Sequence, residues 1–283
     1  QNQSTYPMAR LLWDAPGQNF KQEALKLAAK SDAVVLCMGL SPELEGEEMF
    51  VEIPGFLGGD RTEIYLPATQ SELVKAVLAL GKPVVVVLIN GSALALDNDV
   101  LGASAILEAW YPGQAGGTAI ADILFGDYNP AGRLPVTFYK SASQLPPFDD
   151  YSMEGRTYKY FRGEPLFPFG FGLSYTTFTY SNLQVASQMM ADEPVNVSVE
   201  VTNTGKMAGD EVVQLYVSFP GRENAPIRTL QGFRRIHLKA GETATVSFTL
   251  KPDQLALYHE EHGRVVYSGD ILLTVGGQQP NEA

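Results

Sequence analysis

The chain has 283 residues, long for one core and typical of two domains, and 45% of them are hydrophobic, so it can bury a large core. Its formal net charge of −12 argues against nucleic acid and anionic membrane as partners, since both need basic surface against phosphate. The one cysteine, Cys37, lies inside an apolar run and is expected to be a buried thiol, which leaves neither a disulfide framework nor a thiolate metal site. No apolar stretch approaches the ~20 residues that span a bilayer, so no membrane partner is expected from that side either. The chain opens on QNQS without a methionine or a signal peptide, which reads as a processed, trimmed or excised polypeptide.

In chain order, Phe20 to Ala29 carries apolar residues at helical spacing, and Ala33 to Met38 is short and β-branched, a buried parallel strand. Thr69 with Glu72 forms a capping-box pattern that predicts a second helix over Gln70 to Leu80, ended by Gly81. Val84 to Ile89 (VVVVLI) reads as a central strand covered on both faces, Ala105 to Ala109 as a third strand, and Thr118 to Phe125 as a third helix closed by Gly126. Successive βα units with short connections predict a parallel, helix-covered sheet.

Prolines then punctuate a connector over 140–172, and the aromatics crowded between Tyr151 and Tyr180 predict a packed segment rather than a floppy linker. From Phe178 the helical period disappears. Val195 to Val201, Glu211 to Phe219, Thr243 to Leu250 and Ile271 to Val275 alternate with period two, separated by turn signals. About seven such short strands make an immunoglobulin-like sandwich, and without cysteines it is closer to a fibronectin type III-like module. The predicted class is therefore α/β plus all-β: a parallel-sheet α/β sandwich domain over 1–139, an aromatic-rich connector over 140–172 and a fibronectin type III-like β-sandwich over 173–283.

The loop Ser41 to Arg61, SPELEGEEMFVEIPGFLGGDR, holds the densest candidate chemistry. It follows the first strand, and loops at the carboxyl ends of parallel strands are where α/β proteins bind and react. A solvated acidic loop that only confers solubility is the alternative. Elsewhere no G-x-S-x-G, H-E-x-x-H, C-x-x-C or phosphate-loop motif occurs, and His259 and His262, with Glu260 and Glu261 between them, read as a surface turn rather than a metal site. Carboxylates are the groups left to do chemistry.

The blocks LEGEEM, GGDRTEIYLP, GKPVVVVLINGSALAL, AILEAWYPGQAGGTAIADILFGDYNPAGRLPVTFY, GRTYKYF and PFGFGLSYTTFTY, in that order, resemble the carboxyl-terminal part of glycoside hydrolase family 3, with LEGEEM and GRTYKYF closer to its β-xylosidase than its β-glucosidase branch. The resemblance implies a retaining β-glycosidase in which a (β/α)8-type barrel bears an aspartate nucleophile and the α/β sandwich bears the glutamate acid/base. It implies a β-linked oligosaccharide or aryl glycoside as substrate, and no metal or cofactor. The barrel and its nucleophile motif have no match here, so the missing amino-terminal barrel domain is the expected partner and this chain alone an incomplete enzyme. A secreted or periplasmic location is expected.

A retaining glycosidase needs two carboxylates ~5 to 5.5 Å apart, one to attack the anomeric carbon and one to protonate the leaving oxygen and then deprotonate water. The family motif fits this loop in two registers. The E-x-E pair of xylosidase-like relatives, with Asp60-Arg61 as anchor, places the acid/base on Glu47; counting from the strand end at Gly39 favours Glu45, and Glu48 is a third candidate. Asp60 and Arg61 read as a loop-fixing ion pair. Trp110 and Tyr111, just after a strand, could line a pocket or belong to the core. The reading from another class is a non-catalytic carbohydrate-binding or scaffold module, indifferent to Glu47.

Overall fold

The structure, a computed structural model, describes residues 20–280 except 43, 47–50 and 59, with the backbone alone of 52 and 53. The chain forms two compact units. The described residues up to Ile120, with Tyr139–Gln144, make one; Ala121–Phe138 and the described residues from Leu145 onward make the other.

The first unit is built on three parallel strands, β1 (Val34–Gly39), β5 (Val84–Ile89) and β6 (Ala105–Glu108), in the order β1-β5-β6. The VVVVLI run is unbroken because β5 is central: Val84, Val86 and Val87 are fully buried. Helix α1 (Phe20–Lys30) precedes β1, and α2 (Ala68–Leu78) buries Val74 and Val77. The face of β1 that carries Val35 and Cys37 is exposed among the described residues, while the other face is covered. Leu36 is buried there while Cys37 is exposed, which corrects the expectation of a buried thiol.

The capping box at Thr69 does not form. α2 starts at Ala68 behind Pro67, whose φ of −49° already suits a helix start, and Thr69 lies inside the helix. Gln70 instead turns its amide onto the end of β1, where Oε1 accepts from the Gly39 N–H and Nε2 donates to the Gly39 carbonyl, both at 2.8 Å. Gly39 is required at that point: its φ is 138°, and a Cβ would lie 1.9 Å from the Ile89 oxygen. This clamp aims the acidic loop as it leaves the strand. Within that loop a small antiparallel meander, β2 (Glu52–Ile53), β3 (Phe56–Leu57) and β4 (Asp60–Arg61), brings Arg61 back toward the sheet. Strands of two residues leave no periodicity to read, and the four-residue α3 (Asn98–Leu101), capped by Asp97, escaped sequence reading for the same reason. Helix α4 (Gly116–Phe125) starts two residues earlier than expected.

The second unit is an antiparallel sandwich of two three-stranded sheets. One runs β11 (Thr243–Leu250), β8 (Val195–Asn203), β7 (Phe178–Val185); the other β10 (Thr229–Leu238), β9 (Gly209–Ser218), β14 (Leu272–Gly276). The hairpin of β12 (Leu257–His259) and β13 (Gly263–Val265) completes it. Alternation places Val195, Val197, Val199 and Val201 of β8 against Val213, Leu215 and Val217 of β9 in one core. β9 is buried on its outer face as well, because the aromatic connector packs there: Tyr158 stacks on Phe169 at 4.1 Å between ring centroids, and both meet Tyr216 edge to face. The short helix α5 (Thr157–Tyr160) carries Tyr158, whose hydroxyl accepts from the Leu230 N–H.

Beside this layer Arg133 and Glu211 form a buried ion pair at 3.0 Å, with side chains 9% and 4% exposed. Arg133 Nε donates to the Gly277 carbonyl and Tyr180 donates to Glu211 Oε1, so both ends of the pair are satisfied beyond each other.

Candidate functional site

Three chain segments leave the carboxyl ends of β1, β5 and β6 side by side, as expected where a parallel sheet presents its binding edge. From β1 comes the turn at Ser41, whose carbonyl accepts from the N–H groups of Leu44 and Glu45. From β5 come Asn90, Gly91 and Ser92; from β6 come Glu108, Trp110 and Tyr111. Their polar groups converge on one carboxylate, that of Glu45.

Glu45 Oε2 accepts from the Gly91 N–H at 2.8 Å and from the Tyr111 hydroxyl; Oε1 accepts from the Ser92 N–H at 2.9 Å and from Ser92 Oγ. Position 91 has no room for a side chain, since a Cβ would lie 2.8 Å from the Tyr111 ring and 3.2 Å from Glu45 Oε2. Arg61 braces the arrangement. It donates to Ser92 Oγ at 3.1 Å, to the Tyr65 carbonyl at 2.9 Å and to the Glu63 carbonyl at 3.0 Å, while lying over the Phe56 ring. The expected Asp60–Arg61 ion pair is absent among the described residues: antiparallel pairing sets Asp60 opposite Leu57 and Arg61 opposite Phe56, and the guanidinium reaches carbonyls instead. The loop is fixed by Arg61, through different partners.

Burial opposes ionisation of Glu45, but the bonds from Ser92 Oγ, the Tyr111 hydroxyl and the two backbone N–H groups outweigh it, and its carboxyl is held below the usual range. Glu108 is pushed the other way, to about 7, by burial and to a smaller extent by the charge of Glu45, against the Trp110 N–H and Asn90 bonds. Its Oε1 accepts from the Trp110 N–H at 3.1 Å, and its Oε2 is 3.4 Å from Asn90 Nδ2, which also donates to the Ser92 carbonyl at 2.9 Å. Trp110 adopts a left-handed φ of 54° to make that contact.

Of the sequence candidates, Glu45 is therefore an ionised anchor for the loop, and Glu47 and Glu48 lie outside the described residues. Asn90, Ser92 and Glu108 were missed as site residues, whereas Tyr111, weighed as a pocket or core residue, turns its hydroxyl to Glu45; the signal for the missed ones was polar residues directly at the carboxyl ends of apolar strands. No group of metal-ligating side chains occurs among the described residues, and His259 and His262 stack at 4.7 Å on the β12–β13 turn.

The anchor makes a stability prediction. A carboxylate whose folded pKa is lowered contributes stability above its unfolded pKa and loses it as pH falls through the folded value. Glu45→Gln, which also sets an amide N–H against the N–H donors, should cost about 1.5–3 kcal/mol at pH 7 in urea denaturation, with the deficit shrinking below about pH 4. A deficit independent of pH would contradict an ionised anchor.

The Glycosyl hydrolase family 3 C-terminal domain matches residues 3–175, and the Fibronectin type III-like domain matches residues 211–279. The chain is 49% identical over 241 residues to a xylan 1,4-beta-xylosidase of Xylanibacter ruminicola, covering 85% of this chain and 28% of that protein. It is 42% identical to a periplasmic beta-glucosidase of Salmonella typhimurium, covering 84% of this chain and 32% of that protein. A solved β-glucosidase from Erythrobacter marinus superposes with a TM-score of 0.81 at 39% identity, over 92% of this chain and 35% of that one. The chain belongs to glycosyl hydrolase family 3, within its C-terminal region. It spans about a third of the length of the curated relatives it matches. Among the described residues no helix is long and apolar enough to cross a membrane.

Proposed function

We propose that the chain is the carboxyl-terminal part of a retaining β-glycosidase, a β-xylosidase or β-glucosidase, that removes terminal β-linked sugars. The α/β unit supplies the acid/base glutamate to an aspartate nucleophile borne on a barrel outside this sequence. The 49% identity to a β-xylosidase, against 42% to a β-glucosidase, favours xylosides as substrate. The likeness to a periplasmic relative supports a periplasmic or secreted location.

The observation that carries the assignment is the engagement of Glu45. With four donors on its two oxygens its carboxyl is a poor proton donor, yet it ties the acidic loop to the strand ends two residues before Glu47. We assign the acid/base to Glu47 on that basis, with Glu45 as its tether. Protonation of the leaving oxygen by Glu47, with attack of the barrel aspartate on the anomeric carbon, gives a glycosyl-enzyme. Deprotonation of water by the same glutamate then releases the sugar with retained configuration, and neither step calls for a metal or cofactor.

The complete enzyme should hydrolyse 4-nitrophenyl β-xyloside or β-glucoside, and the 283-residue chain alone should not. Robust turnover by the chain alone would contradict the division of labour. Millimolar or tighter binding of xylo-oligosaccharides by the chain, with an inactive complete protein, would point to a carbohydrate-binding module instead.

A further inference from the structure

Glu108 is half-buried at the end of β6, is no part of the acidic loop, and yet touches both turns that hold that loop. Its Oε1 receives the N–H of Trp110, the strained residue just before Tyr111, and its Oε2 faces the Asn90 amide, whose second bond goes to the Ser92 carbonyl. Among the described residues, Tyr111 on one side and Gly91 with Ser92 on the other provide every hydrogen bond that the Glu45 carboxylate receives. Asn90 is fully buried and makes no other side-chain bond among the described residues, so Glu108 and the Ser92 carbonyl alone orient it.

We propose that Glu108 is a positioning residue: its carboxylate ties the turn after β5 to the turn after β6, and so sets where Glu45 pins the loop that carries the acid/base. This rests on the glycosidase reading above. The ionised carboxylate accepts from both donors. Once protonated, the carboxyl keeps the Trp110 bond and presents its hydroxyl to Asn90, where it is a weaker, neutral acceptor for the amide N–H or turns the amide so that the unpartnered Oδ1 accepts from it, and the tie changes form. The charged group that acts on it is Glu45 of the acidic loop, which Arg61 of β4 and the Tyr111 hydroxyl face in turn. Burial and Glu45 hold its titration near neutrality, at about 7, so the tie is switched within an accessible pH range.

The chain holds two tryptophans, and Trp13→Phe leaves Trp110 as the sole reporter. In that background Trp110 fluorescence should titrate with a midpoint near 7, and Glu108→Gln should abolish the transition while leaving the urea midpoint measurable. In the complete enzyme Glu108→Gln should lower kcat about 10- to 100-fold on an unactivated xyloside with little change in KM, flatten the neutral limb of the pH profile, and resist rescue by azide. Tyr111→Phe, which removes one bond to Glu45 without touching Glu108, should lower kcat likewise but keep the Trp110 titration. A Trp110 transition that survives Glu108→Gln overturns the proposal, as does unchanged kcat; azide rescue of Glu108→Gln overturns it by making Glu108 the proton donor. If the complete wild-type enzyme hydrolyses no β-glycoside, the glycosidase reading fails, and the fluorescence arm still decides whether Glu108 forms the tie.

Discussion

Glu47→Gln in the complete enzyme is expected to cut turnover of substrates with poor leaving groups by about 10²–10⁴, the usual contribution of a positioned general acid. A substrate with an activated leaving group needs no protonation, so its glycosyl-enzyme should form and accumulate in the variant. Azide should then attack the anomeric carbon, displace the aspartate and give a β-glycosyl azide, because a second inversion restores the starting configuration. Glu45→Gln should behave differently. Its loss should show in folding stability and loop placement, with no azide rescue, since Glu45 already accepts four hydrogen bonds and its carboxyl is held ionised. Rescue of Glu45→Gln alone, with Glu47→Gln close to wild type, would shift the acid/base register by two residues.

The second large effect lies in the sandwich. Glu211→Ala removes the partner of Arg133 where the guanidinium side chain is only 9% exposed, and should cost about 3–5 kcal/mol in unfolding of that unit, the penalty for stranding a buried charge. Tyr180, whose phenol is pushed above its ordinary range by burial first and by the Glu211 charge second, loses its acceptor in the same variant. Replacing both members of the pair, Arg133→Met with Glu211→Leu, should recover much of the loss, since no charge is then left buried. The comparison is made by urea denaturation of the single and double variants. A single variant within about 0.5 kcal/mol of wild type would mean that Arg133 finds another anion or water.

Both layers of this architecture were legible in the pattern of the residues. The VVVVLI run of β5 could only be a strand covered on both faces, and the period-two alternation of β8 and β11 named their core positions directly. The misplaced features share a cause. Thr69 has the residue type of a cap, but Pro67 started the helix earlier; Arg61 follows an aspartate in sequence, but antiparallel pairing turned the two side chains to different partners. Cys37 looked buried because its neighbours are apolar, yet it shares with Val35 a face of β1 that is exposed among the described residues.

The amino-acid sequence by itself determined the fold class, the family blocks and the acidic loop after β1, because periodicity, glycine and proline punctuation and carboxylate density are local properties of the chain. Only the tertiary structure decided what the carboxylates are. Glu45 became an ionised anchor and Glu108 a near-neutral carboxyl because parallel pairing brings the ends of β1, β5 and β6 together, setting residues 45, 91, 92, 108 and 111 side by side. A carboxyl's charge state depends on the donors, charges and burial around it, and those come from segments distant in sequence.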